Sequence, residues 1–112
     1  MQIQINTDRN IEGRGALASQ VSSTVETILR QVSDHISRVE VHLSDENSKK
    51  KGGNDDMRCM MEARLKGHQP IAVTHQAATL DQAVDGAADQ LARLIKSTLG
   101  RLHDQKSHRT DY

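Results

Sequence analysis

The apolar positions of this chain alternate at Ile3 and Ile5, then recur at helical spacing through Leu17, Val21, Val25, Ile28 and Val32. They alternate again in three runs: Val39, Val41 and Leu43; Met57, Cys59, Met61, Ala63 and Leu65; Ile71 and Val73. Helical spacing then returns through Leu80, Val84, Ala87, Leu91, Ile95, Thr98 and Leu102. A period of two marks a strand with one buried face, and a period near three and a half marks a helix with one apolar stripe. The predicted order is β-α-β-β-β-α, an α+β fold. One four-stranded mixed sheet with both helices packed on one face is the simplest way to bury all six apolar sets.

The segments between these runs refine the prediction. A helix over about Arg14 to Ser33 is long enough to return the chain, so the first two strands are expected to be parallel neighbours. The other three strands should form an antiparallel meander. The stretch SDENSKKKGGNDD, Ser44 to Asp56, reads as a long polar hairpin tip, while the turn over Lys66 to Gln69 is short. Pro70 lacks an N–H for a ladder and is expected at the start of an edge strand. Thr79 with Gln82 three residues later is a capping-box pattern that starts the second helix at Leu80. Gly100 is a candidate stop, and the polar residues after it read as a partly disordered tail, giving a domain over 1–103 and a tail over 104–112.

Composition narrows the function. With 112 residues one domain is expected, and the single aromatic residue, Tyr112, lies outside every strand. That argues against a sheet that stacks nucleobases on aromatic rings. Fifteen Lys and Arg balance fifteen Asp and Glu, but from Leu91 onward five cations stand against two acids. The lone Cys59 forms no internal disulfide and falls on the apolar side of its strand. No apolar stretch approaches membrane-span length, so a cytoplasmic protein without membrane contact is expected.

Three stretches resemble a known family: MQIQINTDRNIE at the start, DHISRVEVHL from Asp34 to Leu43, and LDQAVDGAADQLARLIK from Leu80 to Lys96. Together with the order of elements they are similar to the short ribosome hibernation-promoting factors, also called ribosome-associated inhibitor or sigma-54 modulation proteins. The last stretch resembles the family's closing helix, with its acidic residue at Asp85 and its Leu-Ala-Arg step at Leu91, Ala92 and Arg93. The resemblance implies binding to the small ribosomal subunit and its RNA where messenger and transfer RNA would lie. Translation would be blocked by occupancy during stress or stationary phase, with no reaction catalysed. The chain departs from the family pattern in three places. Its first helix offers only Arg30 as a cation between Ala16 and Ser33, Asp81 replaces an aromatic residue, and the Lys49-Lys50-Lys51 run has no family counterpart. Fewer cations release fewer counterions, so RNA binding should be weaker and more easily lost to salt than in typical members.

The candidate RNA contacts are therefore Arg93, Lys96, Arg101 and Lys106 on the second helix, Arg30 on the first, and Lys49, Lys50 and Lys51 in the hairpin. Spacings of three to five residues keep the helix cations on overlapping faces, although a solvated face stabilised by the helix dipole has the same pattern. The outward sheet face should carry Gln4, Glu40, His42, Arg58, Met60, Glu62, Arg64 and Thr74, whose mixed signs suggest cross-strand pairs. That face supports a competing function: a diverged protein-interaction module without ribosome binding, using the open face or the Lys-rich hairpin, with self-association through the face. Neither a metal nor another cofactor is expected. His35, His42, His68, His75, His103 and His108 form no close helical pair, and no phosphate loop or nucleophile motif points to an enzyme.

Overall fold

The computed structural model describes residues 1–8, 14–45 and 57–110, with backbone alone at 14 and from 102 onward. The elements are β1 (Gln2–Thr7), α1 (Arg14–Ile28), a 3-10 segment (Arg30–His35), β2 (Ile36–Asp45), β3 (Met57–Leu65), β4 (Ile71–Ala77) and α2 (Leu80–Thr110). The sheet order is β1-β2-β3-β4. β1 pairs parallel to β2, with Ile3 opposite Val39, and the remaining pairs are antiparallel. This is the predicted parallel return followed by a meander.

One sheet face carries the core. Val39, Val41, Leu43, Cys59, Met61, Ala63, Val73 and Ala77 are buried there beneath Val21, Val25 and Leu29 of the first helical region and Val84, Ala87, Leu91 and Ile95 of α2. Both helices lie on this face, as the alternation requires. Leu17 and Ile28 pack at its margin, half-buried. Leu29, Ile36, Ala83 and Ala88 are fully buried although the apolar spacing did not single them out.

Two helix ends differ from the sequence reading. α1 stops at Ile28, five residues before the predicted Ser33, and the chain tightens into 3-10 geometry that places Val32 in the core and turns the backbone into β2. Shorter turns advance the chain with fewer residues, so the apolar spacing survives the change of helix type. α2 runs through Gly100 to Thr110 rather than fading there. A glycine costs about 1 kcal/mol in a helix interior, too little to end a long cooperative one.

The short connections behave as expected. Gly67 adopts the left-handed conformation, φ 76°, in the turn between β3 and β4. Pro70 immediately precedes β4, an edge strand. At the start of α2 the Gln82 N–H donates to Thr79 Oγ1 at 3.2 Å and the Ala83 N–H to the Thr79 carbonyl at 3.0 Å. The Ser44–Asp56 tip falls largely outside the described residues, which resume at Met57.

Candidate nucleic-acid interface

The direction of the strands fixes where the candidate cations lie. β1, β2 and β4 run one way and β3 the other, and each helix follows a forward strand and returns across the sheet. The helices are therefore side by side, with Gln20 Nε2, midway along α1, donating to Asp81 Oδ1 at 3.5 Å in the first turn of α2. Their far portions also share one end: the 3-10 segment, which begins at Arg30, touches α2. The fold thus brings Arg30 to the end of the molecule toward which the basic half of α2 runs. Met57, where the chain re-enters the sheet after the hairpin, pairs with Ala77, just before α2 begins, so that connection leaves from the opposite end. Lys49, Lys50 and Lys51 themselves lie outside the described residues.

On α2, Arg93, Lys96 and Arg101 are all exposed. At a rise of about 1.5 Å per residue they span roughly 12 Å of helix. They are not equally available. Arg93 Nη2 holds Asp89 Oδ2 at 2.7 Å, one helical turn back. Arg101 Nη2 donates to Thr98 Oγ1 at 3.4 Å. Lys106 continues the same helix, with its backbone alone described. Ahead of Arg93 the helix is acidic: Asp81, Asp85 and Asp89 recur every fourth residue. Asp81 and Asp85 line a cleft of about 200 Å³ between the helices, with Gln20, Thr24, Val21 and Val84. Side-chain charge thus passes from acidic at the start of α2 to basic in its second half, the arrangement that the helix dipole stabilises.

The open sheet face carries the expected residues in an arrangement the sequence did not reveal. Register sets Arg38 opposite Arg64 and Glu40 opposite Glu62, so like charges face each other across the two central strands. The relief runs along each strand. Arg38 Nη2 pairs with Glu40 two residues on, and Arg64 Nε lies 3.9 Å from Glu62 Oε1. His42 Nε2 is 3.9 Å from Glu40 Oε2. Arg38 Nε is buried without a partner. At the centre of this face the expected cross-strand pairs are thus replaced by pairs along the strand, and the charges there are already engaged.

Two further positions bear on chemistry. Cys59 is fully buried, and desolvation pushes its thiol up to about 12, which removes the thiolate needed for nucleophilic or metal chemistry at neutral pH. Among the described residues no three His, Cys, Asp or Glu side chains gather into a group able to hold a metal ion. No helix among them is long and apolar enough to cross a membrane.

Comparison with known proteins agrees with the topology. A ribosomal subunit interface protein from Coxiella burnetii superposes with a TM-score of 0.71 at 14% identity, over 89% of this chain and 99% of that one. The N-terminal domain of Thermus thermophilus Protein Y superposes with a TM-score of 0.62 at 24% identity, over 88% and 99%. Similarity at that level establishes a shared fold. No curated protein matches the sequence. The model of the family described as sigma 54 modulation protein / S30EA ribosomal protein matches residues 3–103, nearly the whole of the sheet-and-helix unit, and the chain belongs to that family.

Proposed function

We propose that this protein is a non-enzymatic, cytoplasmic factor that binds the small ribosomal subunit through its RNA and holds back translation by occupancy under stress or in stationary phase. The observation that supports this most directly is the family match over residues 3–103, which includes Arg93, Lys96 and Arg101 on the exposed second half of α2. Arg30 lies toward the same end and completes the candidate contact set, with Lys106 on the continuation of the helix. The acidic first half of α2 confines the phosphate-binding surface to that end. Lys49, Lys50 and Lys51 are a separate, secondary candidate.

The test is co-sedimentation of the protein with ribosomes as salt is raised. Replacing Arg93, Lys96 and Arg101 together by Gln leaves the fold intact, because all three are exposed, and weakens binding by about 1 kcal/mol or more per lost contact. It also flattens the dependence on salt by about one counterion per cation. Unchanged binding in the triple variant removes the helix from the interface. Absence of ribosome binding at low salt in the unmodified protein favours the protein-interaction reading, with the open sheet face or the Lys-rich hairpin as its surface.

A further inference from the structure

Every Asp, Glu, Lys and Arg of the sheet lies on its two central strands. β1 reads QIQINT and β4 reads IAVTHQA, so both edges carry no such residue. Sheets ordinarily protect an open edge with charge, proline or a covering segment, since alternate N–H and C=O groups there are free to pair with another strand; here Pro70 stands just before β4 and not within it. Among the described residues nothing pairs with the outer edge of β4. Beside it on the helix side is a shallow groove lined by Val73, Gln90, Arg93 and Leu94. Leu94 is 44% exposed, one of two large apolar side chains so exposed among the described residues.

We propose that β4 takes up β4 of a second copy of this chain, antiparallel and about a two-fold axis through Thr74, extending the sheet across a dimer. Three observations favour this occupant. In that register Ile71 faces Ala77, Ala72 faces Gln76, Val73 faces His75 and Thr74 faces itself, so no like charges meet and a threonine pair, favourable across strands, sits at the axis. The chain carries no net formal charge, so two copies approach without long-range repulsion. Finally, β4 on β4 closes after two copies, whereas β4 on β1 leaves a free edge at each end and propagates. The added strand covers Val73 and the side of Leu94. The open face is the poorer surface for self-association, because Arg38, Glu40, Glu62 and Arg64 would have to be desolvated there.

Sedimentation equilibrium of the full chain from about 1 μM to about 1 mM reads the association directly. Thr74 is exposed and on the outward face, so Thr74→Lys retains the monomer fold, checked by circular dichroism and melting temperature. It places two ammonium groups together at the axis and weakens the dimer at least about tenfold. Thr74→Glu does the same, and an equimolar mixture of the two variants regains a heterodimer, a result that only pairing across this residue gives. Gln4→Lys on β1 leaves the association unchanged. A protein monomeric at every concentration overturns the proposal and leaves the edge to a strand from another protein. A dimer indifferent to Thr74→Lys, or abolished by Gln4→Lys, overturns it as well.

Discussion

Arg93 on α2 is held at 2.7 Å by Asp89, one helical turn nearer the helix start. Both side chains are mostly exposed, so the pair contributes little to stability, about 0.3–0.5 kcal/mol. If Arg93 contacts RNA as proposed, the pair matters more for binding, because a phosphate would have to compete with a carboxylate already in place. Asp89→Asn is expected to leave the melting temperature nearly unchanged while tightening ribosome binding several-fold. It should also steepen the salt dependence by about one counterion, since Arg93 then releases a counterion of its own. Co-sedimentation at several salt concentrations measures both effects, and Arg93→Gln should make them vanish.

Gly86 of α2 meets β4 at His75. A Cβ at that glycine would lie 2.3 Å from His75 Cδ2 and 2.8 Å from Cγ, close to the root of the ring as well as its edge. In an open helix Gly→Ala is worth about 1 kcal/mol of stabilisation; here the steric cost prevails, and Gly86→Ala should destabilise by roughly 1–3 kcal/mol in urea denaturation. Adding His75→Ala removes the obstruction. The double variant should then be more stable than the sum of the single effects predicts.

The buried thiol sets an alkaline limit. Cys59 is raised from 9.0 to about 12 by burial, so between those values an unfolded chain has released its proton and the folded one still holds it. The unfolded state then binds fewer protons, and stability falls as pH rises from about 9 toward 12, with the full contribution present below 9. The informative quantity is the difference between the unmodified protein and Cys59→Ala. That variant leaves a cavity and is less stable at neutral pH, but its stability should decline less steeply above pH 9.

Val41 lies fully buried in the centre of the sheet, on the face beneath the helices. Val41→Asp leaves an unpaired charge there, a cost of about 3–5 kcal/mol, comparable to the whole stability of a small domain. Circular dichroism should show an unfolded chain at neutral pH.

Most of the architecture was legible because Val39, Val41, Cys59, Met61 and Val73 alternate cleanly and α2 keeps its stripe over many turns. The end of α1 was not, since Val32 lies at helical spacing whether Leu29 to His35 is α-helical or 3-10; backbone geometry distinguishes them and apolar spacing does not. The candidate cations were legible by type and position. Their availability was not: the partnership of Arg93 with Asp89 is visible as a spacing, but the Arg-to-Arg and Glu-to-Glu register of β2 and β3 depends on how the hairpin closes. His75 belongs to no close helical pair of histidines, and nothing in the sequence ties it to Gly86.

The parallel pairing of β1 with β2 sets an order of events during synthesis. Ile3 is matched to Val39, 36 positions later, so β1 leaves the ribosome well before its ladder exists. At about 5–20 residues per second the wait is roughly 2–7 s. The β2-β3-β4 meander has much shorter loops to close, so it is expected to form before β1 is added. Pulsed hydrogen exchange during refolding should accordingly protect the amides of β3 before those of β1, and a nascent chain stalled before β2 has emerged should show none of this fold at all.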